Sequence, residues 1–458
     1  MSMESKGSIA KVNENLKLKQ SIKSSQHNMP KFITGSLIGI IVFFIPVYKG
    51  MVPLVLIVNF LKSVMSGVVD FLVLALIAAL VITYTAGKFF GVERCKEYHK
   101  QDGKIKGALY LIALVFSILI ITNTGPDYLL SEDVGGLAYS LAGSVMVTVI
   151  VAGSFVVFLL KSGVIEFIGT FMEPIMRPLF KLPGTAAVDA LASFVSAAAV
   201  GIFLTNQLYL EGQYTNKEAK MIMTNFSVCS LGFFGVLLSI VGQEQLYPIV
   251  VLTSLVVTFI LAAIVIRIPP VSRYSKVYHS GREQTEADTR VIREGSIHLR
   301  ALDNGLKVGK DLSFKDIRDN LWDTVVFTQK IVAYVVALAT IVLILAEFTP
   351  IFMWLGKPMI PYLKLVGMPN AAEIAPSTLI GFAEIALPVM LIAGKGIALK
   401  SVFFITVLST VQIIFFTESG NAMLETDVGF NFFELLGLFL IRTVIAIPLV
   451  AIAAHILF

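Results

Sequence analysis

The chain has 458 residues, of which 56% are hydrophobic and only 15% are Asp, Glu, Lys or Arg. A soluble domain carries about 25% charged residues, so this composition excludes a soluble globular protein and indicates an integral membrane protein. The net charge of +5 does not indicate a nucleic-acid partner, because the basic residues lie in loops beside apolar runs, where they set membrane topology.

Long apolar runs, each about long enough to cross a hydrocarbon core of about 30 Å, predict an all-α polytopic fold. They lie near 34–48, 67–90, 107–122, 138–160, 218–241, 247–268, 331–348, 398–416 and 435–457. Residues 51–65 are also apolar but lie between Gly50 and Gly67, so we expect a short span or an interfacial segment there. The polar residues before the first run predict a flexible basic tail.

Two stretches, 172–207 and 356–391, look like copies of one broken apolar unit. Each opens with two spaced prolines, followed by a basic residue, another proline and an Ala-Ala pair. Beyond the pair lies an apolar run that carries Ser, Thr, Gly and a carboxylate. Repeats with discontinuous helices surround the midplane site of many secondary transporters. The alternative is that these short motifs recur by chance.

The positions of lysine and arginine predict how the first unit meets the membrane. Basic residues cluster in the tail, in 88–106 and in 273–318, and the positive-inside rule places all three in the cytoplasm. A single crossing by 184–210 would put 273–318 outside, whereas a re-entrant hairpin that turns near Ser196 to Gly201 keeps it inside. Three spans then separate the units, so the second hairpin enters from the opposite face and the repeats are inverted.

These arguments divide the chain into five parts. One of them contains an amphipathic helix over 312–330, which we expect to lie at the cytoplasmic interface with Trp322 as its anchor. The parts are a cytoplasmic basic tail (1–31), N-terminal transmembrane helices (32–136), a first repeat (137–268) with its hairpin near 184–210, a cytoplasmic loop with the interfacial helix (269–330), and a second repeat (331–458) with its hairpin near 371–393.

Four ionisable residues lie in or beside the apolar runs. Asp189 has an early position in the first hairpin, and the other three are candidates for binding substrate. Arg442 lies well inside the last run, where a basic residue costs roughly 2.5 to 3.5 kcal/mol on insertion scales. Glu384 lies near the predicted tip of the second hairpin, and Glu418 follows the preceding run. Arg442 either pairs with one of these carboxylates as a structural ion pair, or attracts an anionic substrate while the carboxylates handle a coupling ion, or extends to the interface.

Uncharged polar residues collect in and after the first hairpin. The candidates for directional hydrogen bonds to a solute are Ser193, Ser196, Gln207, Asn225 and Ser227. The alternative is a packing role, because Ser and Thr let membrane helices approach closely and bond back to their own backbone. Packing is the stronger interpretation for any single serine, and binding is slightly favoured for Asn225, Gln207 and Glu384.

Enzyme motifs are absent from the sequence, which has no HExxH, no GxSxG and no dinucleotide fingerprint. The two cysteines, Cys95 and Cys229, form no CxxC pair and have no histidine at metal spacing. We therefore expect a protein that is not an enzyme and holds no cofactor or metal. Transport would then run downhill or draw on a gradient of sodium ions or protons.

At this point the residues support a resemblance to a known family. Gly381-Phe-Ala-Glu384-Ile-Ala-Leu-Pro388 and Asn225-Phe226-Ser227 resemble elements of the nucleoside-recognition (Gate) domain, and the whole chain resembles the YjiH-like group of bacterial inner-membrane proteins. Concentrative nucleoside transporters share the domain, so the resemblance implies inverted repeats, two re-entrant hairpins and broken helices around a midplane substrate. Glu384 matches their hairpin glutamate, although their Gln-Thr-Glu tip is replaced by Phe382-Ala383-Glu384 and belongs to the first repeat.

The sequence thus predicts a secondary transporter, ion-coupled or facilitative, for a small polar metabolite that is nucleoside-like or derived from amino acids or dipeptides. The alternative is a membrane assembly protein whose Gate fold supports a partner and transports nothing alone. The expected location is the bacterial inner membrane, with a cytoplasmic N-terminus. The expected partners are the lipid bilayer, a small polar solute, and either a second Gate-domain protein or further copies of the chain.

Overall fold

The computed structural model describes residues 3–48, 51–100, 102–289, 295–309 and 314–458, with side chains from residue 14 onward and from 315 after the last gap. These residues form helices and three isolated bridges, and no β-strand occurs among them. The helices in the first half are α1 (Met3–Ser24), α2 (Met29–Phe44), α3 (Pro53–Val64), α4 (Val69–Phe89), α5 (Glu93–Tyr98), α6 (Lys104–Ile121), α7 (Asp127–Leu130), α8 (Leu137–Ser162), α9 (Val164–Phe180), α10 (Ala186–Val195), α11 (Ala198–Leu210), α12 (Asn216–Phe226) and α13 (Leu231–Ile240).

The second half of the chain contains as many α-helices, most of them short. They are α14 (Tyr247–Val265), α15 (Glu286–Thr289), α16 (Ile297–Val308), α17 (Phe314–Tyr334), α18 (Thr340–Phe348), α19 (Ile351–Gly356), α20 (Met359–Leu365), α21 (Ala371–Ile374), α22 (Ser377–Ile380), α23 (Leu387–Met390), α24 (Leu399–Gln412), α25 (Ser419–Leu424) and α26 (Phe432–Leu457).

Eight helical stretches among the described residues are long and apolar enough to cross a membrane, which makes the chain a multi-pass membrane protein. They are Gln26–Phe44, Val69–Phe89, Lys104–Ile121, Glu132–Ser162, Asn216–Ile240, Glu244–Val265, Lys315–Phe348 and Phe432–Leu457. Each overlaps a run that the sequence predicts as a span. The apolar segment 51–65 is the 12-residue helix α3.

Three expectations about local structure need correction. The ninth predicted span, near 398–416, is the 14-residue helix α24, which ends at Gln412 because Ile413 takes a φ of +69°. The separate interfacial helix over 312–330 is instead the beginning of the helical stretch Lys315–Phe348, which continues through a π-helical turn at 335–339. Residues 3–24 of the basic tail are helical, and their Lys, Glu and Leu residues are good helix formers.

Contacts divide the chain into two compact units. Unit 1 comprises Met1–Ile57, Val151–Ser227 and Ala262–Asp323, and unit 2 comprises Val58–Ile150, Val228–Leu261 and Thr324–Phe458. Each unit contains one of the two broken segments that the sequence analysis singles out. Each therefore has its own arrangement of short helices and buried polar groups.

In unit 1, the amphipathic helix α9 packs against α16 and α10, and α1 packs against α16. Arg177 of α9 donates through Nε to Glu173 Oε1 at 2.7 Å and through Nη1 to Glu218 Oε1 at 2.9 Å. Glu173 in turn accepts a hydrogen bond from the Gly184 N–H at 2.5 Å. These charge-assisted bonds hold the entrance of the first broken segment against α9.

In unit 2, α4 packs against α6 and α24 packs against α26. Buried apolar residues from 134–138 pack with others from the stretch 343–387. Trp322, at the start of the long stretch Lys315–Phe348, is exposed, as a residue that anchors a helix at the membrane interface would be.

We expect Gly163→Ala to destabilise unit 1. Gly163 joins α8 to α9 with a φ of +85°, and a Cβ there would lie 2.0 Å from the Gly305 carbonyl oxygen. Strain of this kind costs roughly 1–3 kcal/mol, before the helices move to relieve the clash. The melting temperature of the detergent-solubilised protein should fall by several degrees.

The matched control is Gly67→Ala, because nothing lies within 4 Å of a Cβ at Gly67 and its φ is not positive. This variant should melt like the wild type. Equal melting temperatures for the two variants would contradict the close approach of α9 and Gly305.

Candidate functional site

The first broken segment forms a helical hairpin within unit 1. Helices α10 and α11 are separated by Ser196 and Ala197, which have non-helical backbone angles. Thr205 Oγ1 donates to Asp189 Oδ2 at 3.0 Å, and a Cβ at Gly201 would lie 1.8 Å from Ser193 Oγ. Later residues of one helix thus meet earlier residues of the other, so the two arms run antiparallel and turn at the place the sequence indicates.

The predicted polar residues of this hairpin are buried and partly used by the helix itself. Ser193 Oγ donates to the Asp189 carbonyl at 3.2 Å, and Ser196 Oγ donates to the Ala192 carbonyl at 2.6 Å. Both are bonds from a serine to its own helix four residues earlier, a common arrangement in apolar surroundings. Gln207 is half-buried near the end of α11.

The pairing of Asp189 with Thr205 was not predicted, although both are polar residues of the predicted hairpin. Asp189 is 1% exposed, and the Thr205 hydroxyl also donates to its own helix at the Gly201 carbonyl. A signal for the pair was available, because residues equally distant from the predicted turn must face each other in an antiparallel hairpin. The hairpin therefore carries a buried carboxyl group across its two arms.

Asn225 and Ser227 lie where α12 stops. Asn225 Nδ2 donates to the Met221 carbonyl at 2.8 Å and contacts Thr224 Oγ1 at 3.1 Å. The helix ends at Phe226, and the next residues, 227–230, are not helical. Asn225 and Ser227 are both at most 1% exposed, so the polar motif marks a buried helix end.

Glu384 lies in the turn between the short helices α22 and α23. Its Oε2 accepts hydrogen bonds from the backbone N–H groups of Ala386 at 2.5 Å and Leu387 at 3.1 Å. The side chain is buried, with the residue 3% exposed. The carboxylate thus caps the N-terminus of α23, where backbone N–H groups and the helix dipole favour negative charge.

The helix after this turn is broken, and the turn accepts a hydrogen bond from one backbone N–H group in the break. Between the end of α24 at Gln412 and the start of α25 at Ser419, the Phe416 N–H donates to the Phe382 carbonyl at 2.9 Å. The Ser419 hydroxyl accepts from the Phe415 N–H at 3.0 Å. Buried backbone outside a helix needs such partners, and here the residues beside Glu384 supply one of them.

Arg442 lies at the same break and is fully buried. Its Nη2 donates to the Val411 carbonyl at 2.8 Å and its Nε donates to the Gln412 carbonyl at 3.2 Å. A cation at a helix C-terminus satisfies carbonyls that have no helical partner and interacts favourably with the dipole. Two hydrogen bonds of Arg442 therefore satisfy carbonyls at the end of α24.

Gln412 joins three helices of the same site, and sequence reasoning missed it. Its Nε2 donates to the Thr378 carbonyl of α22 at 2.7 Å and to Thr443 Oγ1 of α26 at 2.8 Å. The sequence did offer a signal, because Gln412 carries a polar amide inside the apolar run near 398–416. Gln412 thus connects the hairpin, the broken helix and the last helix.

Glu418 lies within electrostatic reach of both Glu384 and Lys62 in unit 2. The Lys62 ammonium donates to Ser144 Oγ at 2.5 Å and lines a cavity of about 710 Å³. The polar residues that line this cavity are Lys62, Ser66, Asp70, Tyr139, Ser140 and Ser144. Among the residues that the structure describes, no cluster of three or more His, Cys, Asp or Glu side chains is placed to hold a metal ion.

Comparisons with known proteins agree with this arrangement. The sequence pattern of the Gate (nucleoside recognition) family matches residues 143–244, which include the first hairpin and the helix end at Phe226. The chain is 31% identical over 447 residues to the uncharacterized protein BpOF4_10220 of Alkalihalophilus pseudofirmus, covering 94% of this chain and 95% of that protein.

A second relative is similar over a shorter region. The sporulation integral membrane protein YlbJ of Bacillus subtilis is 32% identical over 85 residues, which is 17% of this chain and 21% of that protein. No solved structure matches. The Gate match and the full-length relative together show that the chain belongs to the YjiH-like family of Gate-domain membrane proteins.

Proposed function

We propose that this protein is a secondary transporter of a small polar metabolite that works by alternating access around two re-entrant hairpins. The observation that carries the proposal is the polar break in unit 2, where the turn at Glu384 and the broken helix α24–α25 supply each other's backbone partners. Non-helical backbone at membrane depth is tolerated only where protein or a water-filled cavity satisfies it. Secondary transporters use such breaks to bind solutes and ions.

The order of elements supports an internal repeat. A pair of short antiparallel helices, α10 and α11, precedes α12, which stops at Phe226. Two further short helices, α22 and α23, precede α24, which stops at Gln412. Three predicted spans, the first of which begins with α12, separate the two hairpins, so the second hairpin would enter from the opposite membrane face. Alternating access in transporters of this design works through such inverted halves.

The cavity in unit 2 supports a small polar solute as the substrate. Its volume of about 710 Å³ falls within the range of roughly 300–1,000 Å³ that small-molecule sites occupy. Its lining offers one ammonium, one carboxylate and four hydroxyl groups, which suit a solute carrying both charges and hydrogen-bonding groups. Amino acids, dipeptides and nucleosides meet these requirements to different degrees.

A second candidate function is a membrane assembly protein that transports nothing alone. The similarity to a sporulation integral membrane protein over 85 residues favours this alternative. The two candidates differ in whether the purified protein moves any solute.

The purified protein in liposomes should take up at least one member of a radiolabelled panel of uridine, adenosine, alanine, glutamate and alanylalanine. Glu384→Gln should reduce this uptake roughly tenfold or more, because an amide cannot carry the charge that a functional intramembrane carboxylate supplies. The amide oxygen can still accept a bond from α23, so the variant should fold. Folding is checked by melting temperature.

Glu373→Gln is the matched control, because Glu373 lies on the same hairpin segment and is exposed. It should transport like the wild type. Normal uptake by Glu384→Gln would remove Glu384 from the mechanism. No uptake of any panel compound by the wild type, together with copurification of a second Gate-domain protein, would favour the assembly function.

Arg442→Leu should destabilise the protein by roughly 2–4 kcal/mol, because two buried carbonyls at the end of α24 would lose charged donors. Arg442→Lys should recover part of this loss, since an ammonium can reach one carbonyl. The yield of folded protein and its melting temperature in detergent measure the effect. A Leu variant that melts like the wild type and fails to transport would assign Arg442 to substrate binding instead.

A further inference from the structure

A cluster of buried charges in unit 2 lies outside the site described above. It consists of His99, Asp102, Lys106, Lys330 and Glu425, which come from three separate parts of the chain. His99, Asp102 and Glu425 have side chains at most 2% exposed, whereas those of Lys330 and Lys106 are 14% and 32% exposed. We call these five residues the buried charge cluster. Buried ionisable residues of membrane proteins pair with one another, and where they lie within membrane segments they mark ion or proton pathways.

The carboxylates and ammonium groups of the cluster alternate in space. Asp102 Oδ2 lies 3.2 Å from Lys330 Nζ, and Asp102 Oδ1 lies 3.6 Å from Lys106 Nζ. Glu425 contacts the same two cations, Lys106 at 3.0 Å and Lys330 at 3.7 Å. Two negative and two positive charges therefore balance without any charge on His99. A proton on His99 is an addition to the cluster rather than a requirement for its neutrality.

His99 is bound through both ring nitrogens. Its Nδ1 lies 2.7 Å from Asp102 Oδ2. Burial would raise the pKa of the Asp102 carboxyl, but the hydrogen bond from His99 and the charges of Lys330 and Lys106 outweigh burial and lower the pKa to about 2. Asp102 is thus a carboxylate at neutral pH and accepts, so the His99 Nδ1 carries a hydrogen in both protonation states.

The other ring nitrogen, Nε2, faces a hydroxyl group that can bind both the neutral and the protonated imidazole. Thr83 Oγ1 lies 3.0 Å from His99 Nε2 and also 3.0 Å from the Leu80 carbonyl oxygen. The hydroxyl has one hydrogen. Directed at Nε2, it satisfies a neutral imidazole; directed at Leu80, it leaves its oxygen to accept from a protonated Nε2. A proton can therefore arrive and leave while every polar group keeps a partner.

We propose that His99 is a proton-binding site and that its proton is the coupling ion of the transport cycle, an inference that rests on the proposed transport function. The proton comes from solvent to Nε2, and the Thr83 hydroxyl turns its hydrogen to the Leu80 carbonyl. The hydrogen bond between His99 Nδ1 and Asp102 is kept. Histidine is the side chain whose ordinary titration range includes neutral pH.

Protonation would affect the broken helix through Lys330. The imidazolium and the Lys330 ammonium share Asp102 Oδ2, so a charge on His99 weakens the contact between Lys330 and Asp102. Lys330 then relies on Glu425, which directly follows α25, the arm beyond the break at Gln412. The proton site is thus connected to the helix that contacts the hairpin turn at Glu384.

The remaining groups around His99 do not replace it as the proton acceptor. Thr83 and Tyr84 face it from α4, Tyr98 from α5, and Tyr110 and Lys106 from α6, while Lys330 and Glu425 complete the surroundings through Asp102. Burial raises the pKa of Tyr98, which therefore stays neutral. Lys106 is the most exposed member of the cluster and contacts Asp102, on the Nδ1 side of the ring.

The first test reads protonation directly and does not need a substrate. The chain has five histidines, so ¹⁵N-histidine labelling gives few NMR signals, and the signal missing in His99→Gln identifies His99. Lowering the pH should convert it from a neutral Nδ1–H form to an imidazolium while the protein stays folded. Thr83→Val should disfavour the imidazolium relative to the wild type at the same pH, because the charged ring loses its acceptor. A His99 signal that keeps one form at every pH at which the protein is folded would overturn the proposal.

The second test measures coupling in liposomes that contain a pH-sensitive dye. For any panel compound that the wild type exchanges, an acid-outside gradient should drive accumulation and solute entry should carry protons inward. In His99→Gln the ratio of gradient-driven uptake to exchange should fall roughly tenfold, whereas the exposed His279→Gln keeps the wild-type ratio. Unchanged gradient-driven uptake in His99→Gln would overturn the coupling role. Failure of the wild type to exchange any compound would end the transport function and the coupling role, while the NMR titration would still decide proton binding.

Discussion

Backbone groups that leave a helix in an apolar environment must find new partners, and this requirement organises both broken segments. In unit 2 the carbonyls of Val411 and Gln412 are bound by the Arg442 guanidinium. The Phe416 N–H is bound by the hairpin turn, and the carboxylate of Glu384 binds the N–H groups that begin α23. Arg442 and Glu384 are thus each matched to a helix end. In a binding site at this place, the charged groups of Arg442 and Glu384 would already be held in position by these hydrogen bonds.

The two hairpins meet the same requirement with different chemistry. The arms of the first hairpin are joined by side chains, with the Thr205 hydroxyl bound to the Asp189 carboxyl group and Gly201 allowing the close approach of Ser193. In the second hairpin the arms are too short for such a ladder, because α22 and α23 have four residues each. Its turn is supported instead from outside, by Gln412 at Thr378 and by the unwound residues near Phe416. The second hairpin therefore depends on the broken helix for its shape, and the first does not.

Much of this organisation could be predicted from the sequence, because it follows from forces that act locally. Run length and hydropathy identify the eight spanning stretches, and the charge distribution places a turn near Ser196, where α10 ends. Other features could not be predicted. The end of α24 at Gln412 depends on a distant arginine, and the continuation of α17 through a π-helical turn joins a polar amphipathic half to an apolar half. In the sequence, the basic residues from Lys88 to Lys106 indicate only membrane topology. The partners of His99 and Asp102 could not be predicted, because they depend on how α6, α17 and the residue after α25 pack together.

The dependence of the second hairpin on α24 gives coupling a physical basis. A group that moves α25 relative to α24 must also change the backbone partner of Phe416 and hence the turn that carries Glu384. Glu425 lies directly after α25 and is bound by Lys106 and Lys330, two cations whose other partner is Asp102. Any change in the charge beside Asp102 therefore redistributes these cations between the two carboxylates. Contacts of this kind are stronger in a buried site than in water, so under the proposed coupling an added proton on His99 would act on α25 through Lys330 and Glu425.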